Sequence, residues 1–390
     1  MDAERELVLR SCAVTGPYAD TGALSALIER GVDWERFLAI ANRNSVTPMA
    51  AARLTAEGVA RLPERVARSL RLAYEVNALR CNHLARCAAD IVDCFGAAGV
   101  SAIALKGPAL AISAYGDVAM RVFADLDFMV RAEELPAAAA ALERAGYSSP
   151  YYRADVVESG FFPDVGLDFS GEGGVVDLHW RLAPAYFPFA PAGEQIWSRT
   201  AETELFGRRV RILGPADSIL FQACHGSKHG WITLAQVCDF ARLVAAAGAI
   251  SWTNLLDDAR RARSLRMVLL GANLADALSL CEVPGELIAA ARGDSHVAKL
   301  SSRVSREIFD SRRAVELEEW MIALGTIESA GDRVRYLFER VVAPKMSDHA
   351  LLPLPRILYP LYYVARPVLV AIKHRERLFR KSSHIGASES

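Results

Sequence analysis

Three things are scarce in this sequence of 390 residues: paired cysteines, charge of a single sign, and an apolar run free of breaks. The cysteines at 12, 81, 87, 94, 224, 238 and 281 are odd in number and scattered, with no close Cys-x-x-Cys pair. Such a set reads as reduced, mostly buried thiols. Charge is nearly balanced, 45 Lys and Arg against 46 Asp and Glu. The global basic signature of a nucleic-acid binder is therefore missing, and nucleic acid is not expected as a partner. The opening Met1-Asp2-Ala3-Glu4-Arg5-Glu6 has neither the basic n-region nor the apolar h-region of a signal peptide, so a cytoplasmic location is the expectation.

The most apolar stretch, Leu351 to Ile372, is interrupted by Pro353, Pro355, Pro360 and Pro367 and by Arg356 and Arg366, which argues against a spanning helix. From residue 351 to the end, seven Lys or Arg stand against two Glu, a net of +5 where the whole chain carries −1. This tail either packs on the body with a solvated end, or makes a peripheral contact with an anionic membrane or a protein partner.

What is present is enough apolar material, 52% of the residues, to fill two or three packed units, and no internal repeat organises it. Residues 1–99 read as helical: Leu24, Leu27, Phe37, Leu38 and Ile40 fall in short amphipathic segments. A long periodic pattern runs from Arg65 to Ala98 and is broken near Gly96 and Gly99. This region is expected to pack against a central unit. Between 100 and 214 the pattern changes to short apolar strands, clearest at 101–105, 125–130, 174–182 and 208–213, with a helix from Glu133 to Ala145 ended by Gly146. From 215 to 345 the chain is helical again, with segments at 217–228, 233–247, 252–262 and 265–281, and 346–390 forms the tail.

The chemistry concentrates in Ala124-Asp125-Leu126-Asp127-Phe128-Met129-Val130. In an extended chain, residues two apart share a face, so Asp125 and Asp127 project together while Leu126 and Phe128 enter the opposite side. Adjacent carboxylates repel unless a cation lies between them, and hard oxygen ligands suit a divalent ion such as magnesium. A third acid, Asp177, sits in the alternating run Val175-Val176-Asp177-Leu178-His179-Trp180. Upstream, Ile103-Ala104-Leu105 stops at Lys106-Gly107-Pro108 before a helix-like stretch from Ala109 to Tyr115, and Arg121 precedes the acidic pair. Pro108 is explained by the preference for Pro at the first helical position.

The arrangement resembles the nucleotidyltransferase superfamily of the DNA polymerase beta-like fold. More closely, it looks like the poorly characterised bacterial nucleotidyltransferases in which a Leu-Lys-Gly turn replaces the usual Gly-Ser turn. The matching residues are Leu105-Lys106-Gly107, Arg121 with Asp125-Leu126-Asp127, Val176 to Trp180, and His225-Gly226-Ser227-Lys228-His229-Gly230-Trp231 with Asp239, over about Tyr74 to Leu243. The resemblance implies an α+β protein: a small mixed β-sheet nucleotidyltransferase core flanked by N-terminal and C-terminal helical regions. It implies magnesium or manganese held by Asp125, Asp127 and Asp177, with an NTP, ATP among them, as co-substrate. Asp177 would also act on the acceptor proton, and Lys106 with the amides of the Gly107 turn would hold phosphate. A lysine where the superfamily has a small hydroxyl residue, and a proline that removes one amide donor, shift phosphate binding from backbone towards side-chain charge.

Three further positions carry two readings each. Arg121 either pairs with phosphate or neutralises the acidic pair. His179 either touches a ligand or orders a carboxylate, unless backbone groups satisfy it. Lys228, with His225, His229 and Trp231, either walls the nucleotide cleft or forms a buried interdomain polar cluster. His225 and His229 are four apart as in zinc proteases, but Gly226 stands where the Glu base would be. The resulting expectation is a metal-dependent nucleotidyltransferase that moves an NMP to a hydroxyl of a small molecule, peptide or protein. The alternatives are an NTP-dependent phosphotransferase and a non-catalytic nucleotide-binding module that neutralises a partner.

Overall fold

The computed structural model describes residues 2–56, 62–162, 166–191, 193–310 and 316–368; most of the basic run at the C-terminus lies outside them. At its centre is a six-stranded mixed sheet of β1 (Ile103–Ala104), β2 (Asp125–Met129), β3 (Gly166–Gly171), β4 (Gly174–His179), β5 (Ala201–Leu205) and β6 (Arg208–Ile212). The strands lie in the order β3-β4-β2-β1-β6-β5. β2 runs parallel to β4, and β1 parallel to β6; the β1–β2, β3–β4 and β5–β6 pairs are antiparallel. With helices on either side in the chain, the α+β architecture is the one the sequence pattern implied.

The period-two alternation of β2 and β4 decides what each face of the sheet does. Leu126, Phe128, Val176 and Leu178 are buried on one face, in a core shared with Phe95, Ala138, Leu142, Leu167 and Phe169. Two helices supply its other half. The long helix Glu64–Ala97 turns Leu84, Ala88, Ile91 and Phe95 inward at helical spacing, and Leu135–Arg144 adds Ala138 and Leu142 before Gly146, at φ +85°, ends it. Phe95 meets Phe128 edge to face at 5.6 Å. The other face carries the acids.

Two strands escape the expected set. β3 alternates Leu167 and Phe169 inward with Asp168 outward, but glycines at 166, 171, 173 and 174 make it read as a loop. β5, Ala201-Glu202-Thr203-Glu204-Leu205, is polar except at its two ends and borders the sheet. The helices after Pro215 fall close to their expected bounds: Pro215–Lys228, Leu234–Ala246, Trp252–Arg261 and Leu265–Ala277.

The N-terminal region divides in its packing. Only the long helix lies against the sheet through Phe95; the earlier helices join the C-terminal ones in a second apolar core, where Leu7, Phe37 and Met49 cluster with Phe240, Leu270 and Val297. Asn44 ties this union: its side chain donates to Ile308 O at 3.2 Å and accepts from the Leu234 amide at 2.9 Å. The described part of the tail packs on the body on one side only, and Leu351, Ile357, Leu361, Val364 and Val368 stay exposed. Tyr359 and Tyr362 are buried against Phe162, with ring centroids 5.4 and 5.7 Å away. No helix among the described residues is long and apolar enough to cross a membrane.

Phe128, 1% exposed, closes the apolar side of the sheet directly behind the acids. Phe128→Ala is expected to lower unfolding free energy by about 3–5 kcal/mol in urea titration. A loss below about 1 kcal/mol would show that this face is not the packed core.

Candidate active site

The register of β2 on β4 sets Asp127 directly opposite Asp177, and the β3–β4 register sets Asp168 opposite Asp177 on the other side. Three acids thus form a row across three strands. Asp125, two residues before Asp127 on β2, is exposed at the edge of the same face, and His179 follows Asp177 by two on β4. Asp127 is the buried member, 3% exposed.

Its charge is met by two cations. Lys106 Nζ lies 2.7 Å from Asp127 Oδ1, and His179 Nε2 lies 3.4 Å from the same oxygen and 2.9 Å from Asp177 Oδ2. Burial alone would raise the Asp127 pKa, but the Lys106 ammonium and the His179 contact hold it well below the ordinary carboxylate range. Burial would lower that of His179, yet Asp127 and Asp177 push it up to about 9. Asp125 and Asp168 are both raised, first by loss of water and then by neighbouring carboxylates. His179 therefore faces carboxylates, not backbone.

Lys106 reaches Asp127 because Gly107 turns the chain sharply. Gly107 has φ +59°, and a Cβ there would stand 3.2 Å from the Asp125 carbonyl oxygen. Pro108 occupies the first turn of the helix Gly107–Leu110, as its fixed φ favours. A second glycine keeps the row of acids open. At Gly166, a Cβ would lie 2.6 Å from Asp177 Oδ1 and 3.1 Å from His179 Nδ1.

The donor set suits a hard cation assisted by an imidazole. One oxygen each from Asp127 and Asp177 and one His179 nitrogen lie within 4.8 Å of one another, the one such group found among the described residues. Despite the short ion-pair distances, neither Asp127 oxygen and neither His179 nitrogen has a hydrogen bond of ordinary direction. Buried polar atoms left in that state are what a metal ion would satisfy. His225 and His229, whose rings stand 4.6 Å apart, do not belong to the group.

Arg121 takes a different partner from those its sequence position suggested. Its Nε and Nη2 each donate to Asp239 at 2.9 Å, in a two-pronged pair, and Tyr115 donates to the same carboxylate at 2.5 Å. The guanidinium pKa is raised by Asp239 against the effect of burial, with a smaller contribution from Asp127. Arg121 thus joins the β2 approach to the helix Leu234–Ala246 and acts on the acids only through its field. The partner lies 118 residues away in the sequence, beyond the reach of any local pattern.

Lys228 and His229 close the helix Pro215–Lys228. Burial, and after it the Lys106 charge, hold Lys228 below the ordinary lysine range, while Cys224, Asp177 and Asp127 act in the opposite direction. Among the described residues no hydrogen bond or ion pair engages its ammonium. Gly226 is small for a packing reason: a Cβ would meet the Trp231 indole at 2.6 Å. Trp231 is fully buried and donates to Ser227 Oγ at 3.3 Å.

A family model described as "Uncharacterised nucleotidyltransferase" matches residues 30–279, and so takes in the sheet, the row of acids and the Lys228 helix. The chain belongs to this family. It is accordingly a nucleotidyltransferase, an enzyme of the transferase class. No curated protein matches the sequence. Asp168 and Gly166 of this nucleotidyltransferase were absent from the set read from sequence. Leu167-Asp168-Phe169 carries the same alternation that exposed Asp125 and Asp127, masked by flanking glycines.

The two histidines of the Lys228 helix give a pH signature. Burial and then nearby Lys and His charge depress both below the ordinary 6.5, His229 to about 3. Above pH 6.5 they are neutral whether the chain is folded or not and add no pH dependence. Below it the unfolded chain takes up protons that the folded chain refuses, so stability falls with pH by up to about 1.4 kcal/mol per unit per histidine. Urea unfolding between about pH 6.5 and 4.5 should show this fall in the wild type and a flatter profile in the double variant His225→Asn, His229→Asn. Equal slopes would mean that the two rings are solvated.

Proposed function

We propose that this enzyme transfers a nucleoside monophosphate from an NTP to a hydroxyl group, with magnesium or manganese held by Asp125, Asp127 and Asp177. The observation that carries the reading is the buried Asp127 carboxylate opposite Asp177, with His179 against both and no ordinary hydrogen bond on the Asp127 oxygens. A bound divalent ion supplies charge neutralisation to the triphosphate and to the oxygen that leaves. His179, in contact with Asp127 and Asp177, would orient the two carboxylates or complete the ligand set.

The remaining roles follow from charge and position. Leu105-Lys106-Gly107 is the variant phosphate turn: Lys106 neutralises Asp127 in the free protein and stands beside the backbone that Gly107 lets come close. Lys228, an unengaged ammonium under the influence of Asp127 and Asp177, serves the triphosphate, and His229 shapes the wall beside it. Arg121 acts as a positioning residue through Asp239. The acceptor oxygen forms a bond to the α-phosphorus as the bond to the bridging oxygen breaks. Pyrophosphate departs, and Asp177 takes the hydroxyl proton. Residues 100–214 form the catalytic unit of this reading, between helical regions 1–99 and 215–345, with 346–390 as a tail. The reaction is assigned to the cytoplasm, with nucleic acid not the acceptor.

Labelled ATP and the full chain test the reaction type. Pyrophosphate and an AMP-bearing product are expected. ADP would instead establish phosphoryl transfer, and retained tight ATP binding without turnover would establish a binding module. Asp127→Asn should cut kcat by about 10²–10³-fold, and the double variant Asp125→Ala, Asp127→Ala should lose magnesium-dependent NTP binding. Undiminished binding by the double variant would overturn the site.

Gly166→Ala tests the cradle by another route. The added methyl must displace the Asp177 carboxylate, so kcat should fall by at least about tenfold while the unfolding midpoint moves little. Unchanged kcat would remove Asp177 from the reaction.

A further inference from the structure

Past the carboxyl ends of β2 and β4 lies a cavity of about 580 Å³ whose lining includes none of Asp125, Asp127, Asp168 and Asp177. It begins where their strands stop. Met129 follows Asp127 by two residues on the same face of β2, and Trp180 follows His179 at the end of β4. Tyr186, Phe187, Phe189 and Trp197 supply aromatic walls.

The wall segment from 181 to 191 has neither helix nor strand, yet it is held in place. The Phe187 amide donates to Pro184 O at 2.8 Å, the Phe189 amide to Phe187 O at 2.7 Å, and the Ala190 amide to Ala262 O at 3.1 Å. Tyr336, from the helix Ala330–Val342, meets the Phe187 ring edge to face at 5.8 Å. Pockets that bind small molecules share these properties: a preformed concave space of about 300–1,000 Å³ with apolar and aromatic walls.

Three of the four arginines at the cavity are matched already, while Arg181 is exposed with no ion pair among the described residues. Arg131 lies 4.3 Å over the Trp197 ring and 3.8 Å from Glu194. Arg263 pairs with Asp332, while Arg335 pairs with Glu339 at 2.7 Å and donates to Ala185 O at 3.1 Å. A triphosphate finds only Arg181 unmatched there, whereas Lys106 and Lys228 stand by the acids. An uncharged aromatic body finds the aromatic side chains Tyr186, Phe187, Phe189 and Trp197 in the wall.

We infer that this cavity receives the body of the acceptor, a small molecule with a flat aromatic or apolar frame and a free hydroxyl turned towards the acids. The inference rests on the nucleotidyl-transfer reading and narrows its acceptor to one chemical class. The bond changes are those of that reading: the hydroxyl oxygen joins the α-phosphorus, pyrophosphate leaves, and the proton passes to Asp177.

The test uses the full chain with magnesium ATP and two probes, 2-(4-hydroxyphenyl)ethanol as a neutral aromatic alcohol and glycerol as a polar one. Binding is followed by ligand-observed NMR and transfer by the mass of the probe. Ala185 and Ala190 line the cavity and are exposed, so Ala185→Trp and Ala190→Trp fill it from the outside without disturbing a core. Saturable binding of the aromatic alcohol alone is expected, weakened by about tenfold or more in both variants, with ATP affinity unchanged and an AMP increment on the probe. Binding that survives both variants, or none at millimolar probe, overturns the inference. A probe that binds without gaining AMP overturns the acceptor role. Failure of the underlying reading shows separately, as undiminished magnesium ATP affinity in the Asp125→Ala, Asp127→Ala variant.

Discussion

Burying the carboxylate of Asp127 in the face of a sheet is the constraint around which the rest of the site is arranged. An unpaired anion taken out of water costs several kcal/mol, so positive charge must be brought to it from other strands. The ladder does this on one side: β1 is antiparallel to β2, and the Leu105 amide donates to the Asp127 carbonyl at 3.0 Å, which fixes Lys106 next to the acid. On the other side, the parallel β2–β4 register pairs Asp127 with Asp177 and Met129 with His179, so the imidazole stands between the two carboxylates. The lysine at 106 is then a local electrostatic requirement, whatever part it takes in binding phosphate on the proposed reading. A neutral hydroxyl side chain at that position could not neutralise Asp127.

The acids of β2 and β4 were legible because alternation with large apolar residues reports the two faces of a strand directly, and the buried set Leu126, Phe128, Val176 and Leu178 bears that out. Lys106 and Gly107 were legible for a related reason, since an apolar run that halts at Lys-Gly-Pro before a helix-like stretch reads as a strand turning into a helix. β3 was not. Its inward residues are only Leu167 and Phe169, and the glycines around them are there because β4 side chains and Tyr147 approach the backbone closely. With β3 went Asp168, an acid whose position in the row depends wholly on a hairpin register that no local signal encodes.

Arg121 shows the same limit from the opposite direction. A planar fork near two carboxylates is a reasonable partner for them or for phosphate, and sequence proximity alone favours that. Tertiary packing instead offers Asp239, already oriented by Tyr115, in a two-pronged pair, while Asp127 is met by Lys106 and His179 and Asp125 is exposed. The choice has a structural use. It connects the sheet to the helices that carry the Lys228 segment, and those helices are in turn bound to the N-terminal ones through Asn44. Movement of the C-terminal helices relative to the sheet would have to break this buried ion pair.

The two lysines near the acids are therefore not equivalent. Lys106 is committed to Asp127, and its charge helps to depress the pKa of Lys228, which burial has already lowered. Phosphate oxygens arriving between them would reverse that effect, because negative charge close to a buried ammonium favours its protonated form. On the proposed reading, nucleotide binding and the charge on Lys228 reinforce each other. A cation at the acids would add to this by relieving Lys106 of its role towards Asp127. Lys228 would then discriminate between a nucleotide that brings its own metal and a bare anion, since only the first both neutralises Asp127 and supplies the phosphate charge that Lys228 lacks.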